Sequence, residues 1–223
     1  RAFAARVLER LRGLPTVEGA ALSAAVPLDI HGLPLRSFAL EGRAQEGAAP
    51  DAALSNVVSP GYFQLLDVPF VEGADFADLH DTAAPPQVVV NEAFARRFLP
   101  AAQVLGRRLT NRGVTYTIIG VVRDSTYESF GEAPTPAVFY SYRDRPSALG
   151  EMHLRTRPGA EGVLASEVQR VVLELDASLP VFNVRTMTEH IDKNLILRKI
   201  PARLFLVVAP LLLGLVAMGV YAV

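Results

Sequence analysis

Two stretches of the sequence, RVLERLRGLPTVEGAALS at residues 6–23 and RVVLELDASLPVFNVRT at residues 170–186, share one order of features. Each begins as an amphipathic helix, reaches a Leu-Pro pair, and continues into a Val-containing run typical of a strand. Proline stops a helix because it lacks an N–H donor and its ring clashes with the preceding turn. Two such helix–strand units predict one small α+β subdomain. The alternative is that the two stretches are unrelated, since a Leu-Pro pair is common at the end of a helix. The segment between them, about Gly42 to Asp144, would then form an inserted second subdomain.

The remaining elements are predicted from apolar spacing and from turn signals. Apolar residues at steps of three and four predict helices over 2–14 and 161–176, and cap and proline signals predict short helices over 59–67 and 91–100. Strands are predicted at 17–28, 37–42, 53–59, 88–90, 137–142, 151–157 and 181–187, with a hairpin over 107–127 that turns at 111–113. Residues 68–86 have the composition of a loop.

The chain ends on LFLVVAPLLLGLVAMGVYAV, residues 204–223, which contains no charged side chain. Twenty helical residues rise roughly 30 Å, the thickness of the hydrocarbon core of a bilayer. The stretch therefore predicts a transmembrane helix, with a buried core helix as the alternative, and residues 191–203 predict a juxtamembrane helix that leads into it. Pro201 marks the expected position of a kink. Because the chain starts at Arg1 and stops inside the apolar run, we expect a fragment at both ends.

Composition excludes several functional classes. The net charge of −1 provides no basic excess for a nucleic-acid backbone, and the absence of cysteine removes disulfides and a thiol nucleophile. No phosphate-binding glycine loop, nucleophile elbow or paired-histidine zinc motif occurs. We therefore predict no catalytic residue, no cofactor and no metal. The four histidines lie far apart in the sequence: His31, His80, His153 and His190.

Three groups of residues nevertheless merit a test against the structure. The strongest metal candidate is DFADLHD, with oxygen and nitrogen ligands at Asp75, Asp78, His80 and Asp81, although acidic residues in loops are usually solvated turns. The motif NEAFARRF, residues 91–98, is interpreted as a helix with an asparagine cap and charges that suit its dipole. Four loop arginines could face a partner or only solvent: Arg36, Arg43, Arg143 and Arg145.

The order of several segments resembles a known family. The segments are LRGLPTVEGAALSAAVPL, VVSPGYFQLLDVPFVEGADF, VVVNEAFARRFLP, LGRRLT, YTIIGVVRDSTYESFGEAPTPAVFYSY and LDASLPVFNVRTMTEHI, with the apolar stretch after them. Together they resemble the MacB-like periplasmic core domain of FtsX-like ABC transporter permeases, of the type found as many paralogues in soil bacteria such as acidobacteria. The resemblance implies a porter-like α+β subdomain at 1–41 and 145–190 and an inserted β-rich subdomain at 42–144.

The resemblance also implies a function and a location. The domain would lie outside the bacterial cytoplasmic membrane and would couple ATP hydrolysis by a partner ATPase to export or other periplasmic work. The implied partners are a cytoplasmic ABC ATPase subunit or domain, a periplasmic adaptor protein, membrane lipid and, in the full-length protein, a second copy. Two alternatives stay open from the sequence: a ligand-sensing ectodomain of a membrane receptor and a membrane-anchored enzyme, the latter disfavoured by the missing motifs.

Overall fold

The computed structural model describes residues 2–29, 31–42, 50–81, 83–100, 103–127, 131, 133–147, 150–193, 205, 206, 208–210 and 212. The helices are α1 (Ala2–Arg12), α2 (Tyr62–Leu65), α3 (Glu92–Phe98) and α4 (Glu161–Leu175). The strands are β1 (Val17–Ser23), β2 (Leu35–Leu40), β3 (Asp51–Val58), β4 (Phe70–Gly73), β5 (Gln87–Asn91), β6 (Arg108–Asn111), β7 (Val114–Val122), β8 (Ala137–Ser141) and β9 (Glu151–Thr156). A further helical segment, residues 187–193, is called the C-terminal helical segment below.

Six of the strands form a closed circuit of pairings. The order is β2-β6-β7-β5-β8-β3, and a direct pairing between β2 and β3 completes the circuit. The β3–β8 and β5–β7 pairs are parallel, whereas the other pairs of the circuit are antiparallel. Strand β2, which lies before the predicted boundary at residue 41, is hydrogen-bonded within this circuit. The predicted domain boundaries themselves stay predictions.

A smaller layer of helices and strands extends from the circuit. Strand β1 meets β3 at the pair Ser23–Val58, and β9 pairs with β1 in antiparallel register. The apolar faces of α1 and α4 bury Val7, Leu11 and Val168, among others, against this two-stranded extension. Burial of these side chains away from water is what holds two short amphipathic helices in place. The mixed helix and strand content confirms the predicted α+β fold class.

The predicted strand at 181–187 is wrong: residues 181–186 have no regular structure, and 187 already belongs to the C-terminal helical segment. Asn183 has φ 61°, in the left-handed region, which breaks an extended run. Phe182 is 74 % exposed, so its side chain does not pack as a strand of the core would. The strand beside β1 is instead β9, which comes before α4 in the sequence.

The loop predicted over 68–86 contains a strand, β4, that pairs with β7. Gly73 permits this pairing because its backbone approaches the next strand very closely. A Cβ atom at Gly73 would lie 2.2 Å from the carbonyl oxygen of Ile119, and its φ of +77° also favours glycine. The composition of the loop therefore concealed a strand whose existence depends on a contact with a distant residue.

None of the helices in the described part of the chain is long and apolar enough to cross a membrane. The predicted span at 204–223 lies largely outside the described residues, of which 205, 206, 208–210 and 212 are helical. Most of the predicted juxtamembrane helix, residues 194–203, also lies outside them.

Candidate functional site at the sheet junction

The candidate metal ligands in DFADLHD instead hold backbone turns. Asp75 accepts hydrogen bonds from the N–H groups of Gly61 (2.8 Å) and Phe76 (2.7 Å). Asp78 accepts from the N–H of His80, and Asp81 accepts from residues 83 and 84. Across the described residues, no group of three His, Asp or Glu side chains is arranged to hold a metal ion. These carboxylates therefore have a structural role, because their hydrogen bonds stabilise the backbone turns of the loop.

The NEAFARRF motif has the structural role that the sequence predicted. The Asn91 side chain accepts hydrogen bonds from the N–H groups of Phe94 (3.0 Å) and Ala137 (2.8 Å) and donates to the carbonyl of Thr135 (2.9 Å). The cap of α3 is thus also a bridge to the segment that enters β8. Phe94 is fully buried.

The four arginines that were predicted to face either a partner or solvent differ in their surroundings. Arg143 does not face a partner: only 2 % of its side chain is exposed, and it donates to the carboxylate of Asp144 and to the carbonyls of Asp81 (3.1 Å) and Pro85 (2.8 Å). It therefore clamps the loop before β5 to the end of β8. Arg145 lies over the ring of Tyr140, 4.3 Å from its centroid.

Of the other two arginines, Arg36 is a partly buried residue of β2, and Arg43 lies outside the described residues. Neither has a described contact that identifies a partner surface.

The most distinctive polar cluster lies where the two-stranded extension joins the circuit, and we call it the junction. Backbone hydrogen bonds run from Ala24 to Val57 (2.8 Å) and from Ser59 to Leu22 (2.9 Å), and the Ser59 hydroxyl accepts the N–H of Leu22 (2.9 Å). The side chain of Asn56 adds two hydrogen bonds to Ala25. Its Oδ1 accepts from the backbone N–H, and its Nδ2 donates to the backbone carbonyl. The junction is therefore fastened by side chains as well as by strand pairing.

Ser23 and His153 form the buried centre of the junction. Their Oγ and Nε2 atoms lie 2.7 Å apart, and the Ser23 hydroxyl also lies 2.8 Å from the Ala25 carbonyl oxygen. A carbonyl can only accept, so the one hydroxyl hydrogen of Ser23 goes there, and His153 is the donor through Nε2–H. With the hydrogen on Nε2, His153 does not act as a base towards Ser23. This geometry joins two strands and does not activate a nucleophile.

The environment of His153 favours its neutral form. Burial, and after it the nearby His190, together lower its pKa to about 4. The ring of Tyr62 packs edge-on against the imidazole, with centroids 5.6 Å apart. Burial also raises the pKa of the Tyr62 hydroxyl, so both groups are uncharged at neutral pH.

The C-terminal helical segment docks at the same junction. His190 is 2 % exposed, and its Nε2 donates to the carbonyl of Pro27 at 3.1 Å. The segment begins with a capping box, in which the Glu189 carboxylate accepts the N–H of Thr186 (2.8 Å) and the Thr186 hydroxyl accepts the N–H of Glu189 (3.2 Å). The start of the segment is therefore fixed locally, and its histidine is fixed against the loop after β1.

A cavity lies beside this contact. Its volume is about 160 Å³, and it is lined by residues of α2 and the segment after it, of the loop after β7 and of β8, together with Pro27. Tyr62, Phe63 and Phe139 are among these residues, and all three are buried. The junction thus combines a docked helical segment, a buried histidine pair and a cavity.

Sequence reasoning did not find this site. It treated the histidines as scattered, and His31 and His80 are indeed exposed and apart from the junction. His153 and His190 are brought together by the pairing of β9 with β1 and by the return of the chain after α4. The local signal that could have found it was Thr186-x-x-Glu189, a capping-box pattern that marks the start of a helix and argues against a strand there.

Comparison with known proteins shows which family and which solved structures the chain is similar to. The family model described as MacB-like periplasmic core domain matches residues 2–171. The fold is similar to the periplasmic region of MacB from Actinobacillus actinomycetemcomitans, with 12 % identity and a TM-score of 0.52, over 76 % of this chain and 72 % of that one. It is also similar to the extracellular domain of the noncanonic ABC-type transporter YknZ from Gram-positive bacteria, with 12 % identity and a TM-score of 0.56, over 81 % and 87 %. The comparison with curated proteins gives no match.

Proposed function

This chain belongs to the family of MacB-like periplasmic core domains of ABC transporter permeases, and from this premise we propose that it transmits the work of a cytoplasmic ATPase to the outside of the membrane. That work is export, or another periplasmic task, performed through partner proteins. The domain itself is non-catalytic in this proposal. Its role is to change position or shape when the membrane part of the permease moves.

The observation that carries the proposal is the docking of the C-terminal helical segment at the junction. This segment immediately precedes residues 194–203, which lead to the apolar stretch 204–223. His190 reaches Pro27, and residue 27 comes shortly after β1, the strand that joins the circuit to the extension. A displacement of the segment therefore acts first on the place where the two parts of the sheet meet.

The hydrogen bonds of the junction support this proposal. It is held by directional hydrogen bonds: Asn56 to residue 25, Ser59 to Leu22 and His153 to Ser23. Such bonds in a buried site resist small displacements and break over short distances, because their strength falls steeply with geometry. In this proposal a displacement of the segment therefore rearranges the junction and changes the distance between the segment and the circuit.

The proposed partners and location are those of the family. MacB-type permeases work with ABC ATPases, so we propose a cytoplasmic ATPase subunit or domain as the energy source. A periplasmic adaptor protein, membrane lipid around 204–223 and a second copy of the full-length chain complete the proposed assembly. The membrane is the bacterial cytoplasmic membrane, with the folded domain on its outer side.

The test replaces residues 198–202 by a Gly-Ser linker in the full-length permease together with its ATPase. We expect ATP hydrolysis to continue while transport or signalling outside the membrane is lost, because a flexible linker does not transmit displacement. A five-alanine replacement of the same residues is the control and should retain more coupling, because alanine favours helix. Unchanged external work in the Gly-Ser variant would refute the proposal.

A ligand-sensing ectodomain is the second candidate, and the cavity beside Pro27 is the observation that favours it. The full-length protein distinguishes the two candidates through the segment that comes after residue 223. A permease continues into further membrane spans, whereas a receptor continues into a cytoplasmic signalling module.

A further inference from the structure

We propose that one end of the strand circuit binds a small anion whose charge is carried by carboxylate or phosphate oxygens. The site consists of the side chains of Arg36, Asn111, Tyr116, Tyr140 and Arg145, and we call it the arginine end. The proposal goes beyond the transport function, because it assigns a ligand site to the domain itself. It rests on the strand register, on two guanidinium groups without a carboxylate partner and on a buried tyrosine whose hydroxyl has no described partner.

The strand register places two polar side chains at the same end of the circuit. Side chains alternate between the faces of a strand, and Phe38 and Leu40 of β2 belong to the apolar core of the circuit. Arg36 lies on their face, two residues nearer the start of β2. Asn111 likewise follows the core residue Leu109 by two residues in β6. Because β2 and β6 are antiparallel and Leu40 pairs with Leu109, both polar positions lie at the same end.

Arg145 reaches this end from the segment after β8. Its guanidinium carbon lies 4.3 Å from the centroid of the Tyr140 ring, and its Nη1 donates to Asn111 Oδ1 at 3.0 Å. The Asn111 side chain is itself held, because its Nδ2 donates to the carbonyl of Ser37 at 2.6 Å. The rings of Tyr116 and Tyr140 pack with their centroids 5.0 Å apart. These contacts position Arg145 and both rings before a ligand binds, which lowers the entropic cost of binding.

The two guanidinium groups act on the same hydroxyl. Burial raises the pKa of Tyr140 to about 12, while the positive charges of Arg145 and Arg36 act in the opposite direction. Both arginines are partly buried. Two positive charges that act on one hydroxyl also repel each other, and an anion bound between them would replace this repulsion by attraction.

Neither guanidinium group has a carboxylate partner in the described part of the chain. The carboxylate of Asp144 lies nearby in the sequence, but it accepts from Arg143 at 2.8 Å and from the N–H of Gln87 at 2.9 Å. Its charge is therefore balanced by Arg143. The planar fork of a guanidinium matches the oxygens of carboxylate and phosphate groups, so Arg36 and Arg145 are suited to such an anion.

The hydroxyl of Tyr116 provides a further donor. Tyr116 is 2 % exposed, and its hydroxyl makes no hydrogen bond with any described residue. Buried polar groups are in general hydrogen-bonded, so this hydroxyl lacks an acceptor that a ligand can supply. The oxygen itself is not fully enclosed, which leaves it open to a ligand at the end of the circuit. Burial raises its pKa, so the hydroxyl keeps its hydrogen and donates at neutral pH.

The experiment uses succinate as the probe and observes its methylene ¹H signal by saturation-transfer difference, with the full chain in nanodiscs of zwitterionic lipid. Sodium chloride keeps the ionic strength constant, so that charge screening does not change during the titration. We expect saturable binding. Arg36→Gln and Arg145→Gln should each weaken it at least fivefold, because each removes one guanidinium group from the site.

Arg6→Gln is the matched control, because it removes the same charge from the exposed face of α1. It should change the affinity less than twofold. Equal affinity in Arg6→Gln, Arg36→Gln and Arg145→Gln would overturn the proposal, since succinate would then respond only to net charge.

Inorganic phosphate distinguishes the two classes of ligand. Displacement of succinate by phosphate assigns the site to both classes, whereas succinate binding that phosphate does not displace assigns it to carboxylates. Saturable phosphate binding without succinate binding, measured by the ³¹P linewidth, assigns it to phosphates. If neither anion binds saturably to the unmodified chain, the proposal is wrong.

Tyr116→Phe tests the site with little change in packing, because it removes one hydroxyl and retains the ring. It should weaken the binding of the anion about threefold. Tyr62→Phe makes the same change at another tyrosine that is 2 % exposed, at the junction, and should leave the affinity unchanged. Equal affinity in these two variants would contradict the role of the Tyr116 hydroxyl as a donor to the anion.

Discussion

Acid should destabilise the fold through His153, and the effect can be calculated from its environment. The pKa of this imidazole falls from 6.5 to about 4 in the folded state, first because of burial and second because of His190. Between these two values the unfolded chain binds a proton that the folded chain does not. Stability is therefore full above pH 6.5 and is lost as the pH falls towards 4.

The magnitude is set by the size of the pKa difference. At about 1.4 kcal/mol for each pKa unit, the complete loss below pH 4 approaches roughly 3 kcal/mol. At pH 5 the loss of stability that is due to His153 is already about 2 kcal/mol. Carboxylates with lowered pKa values, such as Asp67, Asp176 and Glu189, stay ionised at this pH. Asp75, whose pKa is raised by burial, changes stability in the opposite direction.

Urea unfolding at pH 7.5 and pH 5.0 measures this contribution. The comparison uses the unmodified chain and His153→Gln, whose side chain has no proton to gain but can still donate to Ser23. Asp75 and all other groups are common to both proteins, so their effects cancel in the difference. We expect His153→Gln to lose about 2 kcal/mol less than the unmodified chain between the two pH values.

The exposed His80 provides the control. His80→Gln makes the same replacement at an exposed position apart from the junction, and it shows what the exchange of a histidine for a glutamine does by itself. If His153→Gln and the unmodified chain lose the same free energy of unfolding, His153 is not the proton-binding group and the description of the buried junction is wrong.

Three further substitutions test the packing that positions the site, each by urea unfolding. Arg143→Met should cost about 3–5 kcal/mol because it removes the charge partner of the Asp144 carboxylate, whose side chain is only 11 % exposed, whereas the same change at the exposed Arg112 should cost little. Gly120→Ala should cost about 1–3 kcal/mol, since its Cβ would lie 2.6 Å from a carbonyl oxygen, while Gly162→Ala, with nothing within 4 Å, should stabilise α4 by about 0.5–1 kcal/mol. Asn91→Ala removes three buried hydrogen bonds and should cost about 2–4 kcal/mol; a cost below about 0.5 kcal/mol would contradict its bridging role.

The helices and most strands were predictable because their signals are local. Apolar residues recur at spacings of three and four over 161–175, which predicts one buried helix face. Leu164, Val168, Val171 and Val172 are buried as this spacing predicts. The side chain of Asn91 caps α3, and the residues that follow it directly in the sequence suffice to predict this cap. Such features depend on neighbours within one or two helical turns, so no knowledge of the fold is needed.

The errors arose where the structure depends on distant residues. Strand β4 exists because Gly73 lets its backbone approach Ile119, and this contact cannot be recognised from the loop-like composition around it. The strand at 181–187 was predicted because a Val-containing run follows a proline that stops a helix, but Asn183 adopts a left-handed conformation and none of the described strands pairs there. Arg143 is buried because a loop about sixty residues earlier supplies its acceptors.

The site at the junction illustrates the same limit. His153 is one residue of an ordinary strand, and His190 is one residue of an amphipathic run. Their meeting depends on the β1–β9 register, which places Ala21 opposite His153, and on the path of the chain after α4. Family resemblance predicted the fold and the transporter context, but it did not indicate which buried side chains connect the sheet to the C-terminal helical segment.

The most direct test of the central claim is a distance measurement between the C-terminal helical segment and the strand circuit during ATP turnover. These 223 residues contain no cysteine, so once any cysteines elsewhere in the permease and its ATPase are replaced, spin labels can be attached at Lys193→Cys and Arg107→Cys, two exposed positions on the segment and beside β6. In the full-length permease with its ATPase, we predict that the distance distribution shifts between the nucleotide-free state and the state trapped with ATP. A distribution that is identical in both states, while ATP is hydrolysed normally, would contradict transmission through the junction.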